Sequence, residues 1–313
     1  MLPEFFNTCS FYGHSTILKK YAGVRTSVPM PFAIQHGIYS GNPTRVDLEG
    51  GANLVWLWSE RIHERFRERF SDATFLGGAP FLYLLNMFES CGISFKPKMG
   101  TVVFPAHSSH LVAASQDDDE YAEEIAALPS HFHPIVVCMY YVDLKYGRDL
   151  PYAMRNLRVV SIAEDRRDPL FLYKFLKLFG RRKFAFAGSN TSALFYMCAL
   201  GADVFLENKE VKLTNKGNPW FDECSFSEAA TFAEKSARIF SPNVSREEKW
   251  KFASDELGAR YIRTKVEVRD LIVQHRKKLL YYQNAFQFCK KAVKIRFKAA
   301  VKRRFYCYWK KIW

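Results

Sequence analysis

The stretch "KFAFAGSNTSALFYMCALGADVFLE", residues 183–207, decides the class of this chain. Phe184 to Ala187 form a short apolar run that ends at Gly188, and the polar cluster Ser189-Asn190-Thr191-Ser192 follows. The apolar residues after it read as a helix that Gly201 stops, and "ADVFLE" then resumes an extended apolar run. Strand, hydroxyl-rich turn, helix and strand in that order are the pieces of a βαβ unit.

The same alternation runs upstream. "GTVVFPAHSSH" (100–110) reads as a buried strand that Pro105 breaks into a polar loop. "DDDEYAEEIAALPS" (117–130) is a helix opened by acids, "HPIVVCMYYV" (133–142) a strand, "PYAMRNL" (151–157) a helix and "RVVSIA" (158–163) a strand. "DPLFLYKFLKLFG" (168–180) is a helix that Pro169 starts and Gly180 ends. The strands are continuous apolar runs rather than alternating ones, as in a parallel sheet covered on both faces. The expected fold is α/β and doubly wound.

Toward the start, "PFAIQHGI" (31–38) reads as a strand and turn. Leu54–Leu57 reads as a strand leading through Ser59 into a helix with Glu60 in its first turn. "ATFLGGAPFLYLL" (73–85) supplies another strand, a turn and a helix start, and "KPKMG" (96–100) is the best boundary. The expected division is a first Rossmann-like domain over 1–98, a second over 99–221, and a helical extension over 222–313.

The 313 residues, 48% apolar and 16% aromatic, suit a globular chain with a real core. No apolar run approaches the ~20 residues needed to span a bilayer. The start lacks the basic flank and apolar stretch of a secretory signal. The seven cysteines are scattered and odd in number, which is usage for a reducing compartment, the cytoplasm. Net charge is +14, yet thirteen lysines and arginines and no acid lie between Arg276 and Trp313, leaving 33 basic against 32 acidic residues elsewhere. The body is near neutral, and the tail carries the excess.

In that tail, residues 289–313 interleave Lys290, Lys291, Lys294, Arg296, Lys298, Lys302, Arg303, Arg304, Lys310 and Lys311 with an apolar stripe. A basic amphipathic helix of this kind suits an anionic membrane surface. A terminal helix packed on the body is the plainer alternative. A nucleic-acid partner is not expected.

In an open parallel sheet, ligands bind beyond the carboxyl ends of the strands. The clusters falling there are Gln35-His36-Gly37, His107-Ser108-Ser109-His110 and Ser189-Asn190-Thr191-Ser192. The last sits at a helix start, where free N–H groups and the positive dipole end favour phosphate, although Ser189 or Asn190 acting as a simple cap reads equally well. His107 can donate to phosphate, and Ser108 and Ser109 can bond either ligand or backbone. His131 and His133 lack a third ligand for a metal, and "DDDE" (117–120) reads as a solvated helix start. Glu207, at a strand end, can reach a ribose or sugar hydroxyl or simply face water. No Walker loop or Gly-x-Gly-x-x-Gly is present.

"PFAIQHGI", "GGAPFLYL", "GTVVFPAHSSH" and "GSNTSALFYMCALGADVFLE" together resemble bacterial capsule and O-antigen glycosyltransferases of the two-Rossmann, GT-B-like kind, over roughly residues 30–210. The resemblance implies donor phosphates held at Ser189, Thr191 and Ser192, and His36 as the base acting from the first domain. It also implies a nucleotide-sugar donor as substrate, no cofactor or metal, and a glycan or lipid-linked acceptor at the inner face of the cell membrane. His133-Pro134 matches a nucleotide-contacting motif of sialyl- and Kdo-transferases but precedes its strand instead of following one. The rival readings are another transferase on the same fold, such as a polysaccharide pyruvyl transferase, and a basic membrane or nucleic-acid adaptor.

Overall fold

The computed structural model describes residues 4, 6–41, 54–69, 73–207, 209–217 and 226–277. The basic tail from 289 onward lies outside them, so the membrane-helix expectation for that segment is not addressed by the structure.

A 3-10 segment, Asn7–Gly13, leads into α1 (His14–Tyr21), and β1 (Ala33–Ile34) follows. Next come β2 (Leu54–Leu57), α2 (Glu60–Arg69), β3 (Ala73–Leu76) and α3 (Pro80–Glu89). The β1, β2 and β3 strands form a three-stranded parallel sheet in chain order. The second unit runs β4 (Thr101–Phe104), β5 (Val112–Ser115), α4 (Asp118–Ala126), β6 (Ile135–Cys138), α5 (Tyr141–Lys145), α6 (Leu150–Met154) and β7 (Arg158–Val160). It continues with α7 (Phe171–Phe179), β8 (Phe184–Ala187), α8 (Ser192–Ala199), β9 (Asp203–Leu206) and β10 (Lys212–Asn215). Two further helices, α9 (Phe226–Ile239) and α10 (Arg246–Leu257), precede a last helical stretch, described over 265–277.

The second sheet has five parallel strands in the order β7-β6-β4-β8-β9. That is the doubly wound order, with the reversal between β4 and β8. The expectation of a doubly wound α/β chain built on parallel sheets agrees with this architecture. Its apolar runs are continuous because alternate residues serve different layers. Val102, Phe104, Val136, Ala185 and Ala187 face the core shared with α7, α8 and the first sheet. Val103, Ile135, Val137, Phe184 and Phe186 face the opposite layer, under α4 and α6. The strands are shorter than the apolar runs suggested. "HPIVVCMYYV" leaves the sheet after Cys138 because Tyr141 already opens α5, and "RVVSIA" stops at Val160.

The two sheets share one core. On α3, the Phe81 ring stacks on Tyr196 of α8 at 4.3 Å and meets Phe175 of α7 edge-on at 5.8 Å. The chain also crosses between the units at both ends. Near the start, Tyr12 N–H donates to the Arg166 carbonyl at 2.6 Å. Gly13 sits at φ +76 against Pro169, where a Cβ would lie 2.4 Å from the carbonyl oxygen. Near the end, α10 returns to the first sheet. The Arg61 guanidinium makes a forked pair with Glu256, 2.7 Å at its shortest, and Ala79 N–H donates to the Leu257 carbonyl. Helix α10 ends at Gly258, and a single 3-10 turn, Ala259–Tyr261, follows.

Gly258 takes φ +67 with its α-carbon pressed on β2's exit, so that a Cβ would fall 1.7 Å from the Trp58 carbonyl oxygen. Gly258→Ala should thus lower unfolding free energy by on the order of 2–4 kcal/mol, because both the left-handed backbone and the contact forbid a methyl. Urea unfolding of the variant checks this; a change within 0.5 kcal/mol (roughly that of an ordinary surface substitution) would show that α10 does not seat here.

Candidate functional site

The cleft between the sheets opens at the carboxyl ends of β4, β6, β7 and β8, and it holds a cavity of about 240 Å³. From the second unit, Phe104, Pro105, His107, Cys138, Met139, Tyr140 and Ser161 to Ala163 line it, together with Asn190 to Ala193. From the first unit come His36, Gly37, Ile38 and Tyr39 after β1, with Tyr12 from the opening segment. The cavity therefore sits over the strand-order reversal, where doubly wound sheets take their ligands.

The loop carrying His36 is built by Gln35, a buried side chain. Its Oε1 accepts from Trp58 N–H at 2.9 Å, and its Nε2 donates to the Gly37 carbonyl at 2.8 Å. Arg61 steadies the far end by donating to the Tyr39 carbonyl at 2.8 Å. The His36 ring meets Phe11 edge-on at 5.8 Å, and its Nδ1 lies 3.1 Å from the Tyr39 hydroxyl.

Across the cleft, Thr191 caps α8 by accepting from Ala193 N–H. Ser192 Oγ accepts from Ile38 N–H at 2.8 Å, so the first turn of α8 touches the His36 loop directly. Asn190, just before that turn, also lines the cavity. Both polar atoms of its amide are shut off from water with no partner among the described residues. Buried amides without partners are rare because each lost hydrogen bond costs about 1–3 kcal/mol.

The expected donor cluster is brought together only in part. His107 reaches the cavity, its ring 5.4 Å from that of Tyr140. Desolvation and the charge of Arg148 hold its imidazole below the usual range, against the pull of Asp143. Ser108 and Ser109 instead face their own loop. Ser108 Oγ bonds both N–H and C=O of Ala114, and Ser109 Oγ accepts from Val112 N–H at 3.0 Å. That loop is fixed from below by Arg148, which donates to Asp143 and Asp118 at 2.7 Å each, while Asp143 accepts from Ser108 N–H. Ser189 is half-buried beside the cavity but does not line it. Glu207 stands at the end of β9, outside the cavity, with its N–H donating to the Ala187 carbonyl. His133 lies at the amino end of β6, opposite the cavity, with Nε2 3.1 Å from the Leu128 carbonyl.

The sequence reading missed the phenols and one histidine. Burial pushes Tyr12, Tyr140 and Tyr196 up, so all remain protonated donors at neutral pH. His14, fully buried, packs against the rings of Tyr12 and Trp58, and desolvation with neighbouring His36 pushes it down to about 3. A left-handed Tyr12, at φ 55, aims its ring into the cleft, and no spacing rule announces such a turn. Among the described residues no group of three or more His, Cys, Asp or Glu gathers as a metal site, and no helix is long and apolar enough to cross a membrane.

No family model matches the chain, and no curated protein matches it in sequence. Among solved structures, a UDP-GlcNAc 2-epimerase from Neisseria meningitidis, bound to UDP-GlcNAc, overlays with a TM-score of 0.37 at 10% identity, covering 86% of this chain and 81% of that one. The pneumococcal O-GlcNAc transferase GtfA, in complex with UDP and GlcNAc, overlays with a TM-score of 0.31 at 7% identity. That match covers 74% of this chain and 45% of the transferase, so this chain spans less than half the length of that protein. Overlays this loose transfer no residue and no activity.

The buried histidines set a pH dependence. His14 ordinarily takes a proton near 6.5 but in the fold only near 3. The unfolded chain therefore binds the proton first, and stability should fall as pH drops below 6.5, by up to about 1.4 kcal/mol per pH unit from this group. His107 is displaced in the same direction. Urea unfolding from pH 7.5 to 5.5 should show the decline, and His14→Phe should make it shallower. An identical slope in the variant would refute the assignment.

Proposed function

We propose that the cleft transfers a sugar from a nucleotide donor to a hydroxyl of a glycan or lipid-linked acceptor of a surface polysaccharide. The observation that carries this reading is the unpartnered Asn190 amide just before the first turn of α8, on a residue that lines the same cavity as His36. The amide and the α8 N–H groups suit the donor's phosphate, whose negative charge grows as the bond to the sugar breaks. His107 stands on the same wall as a hydrogen-bond donor to that leaving group. His36 takes the proton of the acceptor hydroxyl as its oxygen attacks the sugar. In the tautomer whose Nδ1–H donates to the Tyr39 oxygen, Nε2 keeps the lone pair a base needs. The aromatic walls exclude water that would otherwise hydrolyse the donor. Every step falls to this chain's own groups, and none is assigned to a metal.

In this reading Thr191 and Ser192 shape the phosphate site. Ser189, Ser108, Ser109, Glu207 and His133 have no role in it. The basic tail would hold the enzyme at the inner face of the cell membrane, a proposal that rests on the sequence of 289–313.

Calorimetric titration with CMP, UDP and GDP tests the donor side. One of them should bind at micromolar Kd, and Asn190→Ala should weaken it about 10- to 100-fold, the range of a lost charge-assisted hydrogen bond. His36→Ala should keep that affinity and lower kcat by about 10²–10⁴. Failure of all three nucleotides to bind would overturn the nucleotide-sugar reading in favour of another transfer chemistry.

A further inference from the structure

Five tyrosines are buried among the described residues, and the hydroxyl of one is left open. Tyr83 donates to the Gly77 carbonyl, Tyr152 donates to Asp118, and Tyr141 shares a 2.7 Å hydrogen bond with His110 Nε2. Tyr121 has no bonded partner, but its oxygen is sealed from water and the residue lies outside the cleft cavity. Tyr196 lines that cavity, and its hydroxyl is neither bonded to a described residue nor sealed off. A buried phenol ordinarily finds a partner, because a hydrogen bond left unmade costs the desolvation of the group.

The packing around the ring does not account for that oxygen. Phe81 stacks on Tyr196 at 4.3 Å, Phe175 meets it edge-on at 5.8 Å, and Trp58 lies 6.4 Å away. Such a setting is satisfied by phenylalanine, and it holds the ring, and so the hydroxyl, in one place. Position decides what the hydroxyl addresses. Ser192, Ala193 and Tyr196 all line the cavity from α8, with Tyr196 one turn, about 6 Å, beyond Ser192. Helical side chains lean toward the amino end, so the phenol leans toward the first turn, where the reading above puts the donor's phosphate. A group within reach of both is the one bonded to that phosphate, the sugar to be transferred. Among the described residues, no lysine, arginine, aspartate or glutamate lines the cavity. An ionised sugar would therefore lose its hydration there without gaining a counter-charge. A phenol, which both donates and accepts, suits a neutral hydroxyl.

We infer that the Tyr196 hydroxyl binds a hydroxyl of the donor's sugar, and that this sugar is uncharged. This rests on the reading of the cleft as a glycosyl-transfer site. It makes Tyr196 a specificity residue: a sugar lacking that hydroxyl leaves the phenol unpaired and is rejected.

The test is calorimetric binding to the wild-type protein and to Tyr196→Phe, so that turnover is not required. The probes are UDP, GDP and CMP, the neutral conjugates UDP-glucose, UDP-galactose and GDP-mannose, and the acidic conjugates UDP-glucuronic acid and CMP-N-acetylneuraminic acid. At least one neutral conjugate should bind more tightly than either acidic one. Tyr196→Phe should weaken that conjugate about tenfold and leave its free nucleotide unchanged. The variant's thermal midpoint should not fall, since the hydroxyl has no partner in the fold to lose. A loss shared equally by the free nucleotide would put the phenol on base or phosphate and overturn the inference. So would unchanged affinity for every conjugate, an acidic conjugate bound as tightly as any neutral one, or a lowered midpoint with no selective loss of the sugar. Failure of all three nucleotides to bind the wild-type protein would instead remove the glycosyl-transfer reading, and this inference with it.

Discussion

One guanidinium sets the geometry on which the cleft depends. Arg61, at the start of α2, is forked onto Glu256 of α10, lies over the Phe232 ring of α9 at 4.0 Å, and donates to the carbonyl that ends the His36 loop. Its partner carboxylate is 7% exposed, so removing either charge would strand the other in a poorly hydrated place, typically a loss of 3–5 kcal/mol. The same side chain thus joins the late helices to the first sheet and to the carbonyl that ends the His36 loop. A three-stranded sheet is small for independent stability. Here α10 and the shared aromatic core supply what those strands lack.

Much of the second unit was legible because burial on both faces writes itself into composition. "TVVF", "IVVC" and "FAFA" have no polar face, and only a sheet covered on both sides accommodates that. The β5–β10 ribbon was not legible. "VAAS" and "KLTN" are short and partly polar, and they pair antiparallel across a gap of nearly a hundred residues. The cap of α8 was read too early: Ser189 or Asn190 was the cap the sequence offered, and Thr191 accepts the Ala193 N–H instead.

For the candidate site, position was readable and orientation was not. The turns after β1, β4 and β8 all reach the cleft, as strand ends in an open sheet must. Which hydroxyls point inward depends on the loop's own hydrogen bonds: Ser108 and Ser109 satisfy backbone groups that would otherwise be orphaned, and no residue pattern distinguishes that from a ligand loop.

The hydrogen bond from Ile38 N–H to Ser192 Oγ ties these two halves thermodynamically. Ser192 belongs to the first turn of the helix whose positive end faces the cavity, while Ile38 follows His36 on the opposite wall. Any anion drawn to that turn changes the hydroxyl's electron density and orientation, and with them the strength of its hold on Ile38. Reciprocity then requires that shifting the His36 loop change anion affinity by the same factor. In such an arrangement ligands at the two halves of the cleft would not bind independently: occupancy of one half would reset the free energy of the other.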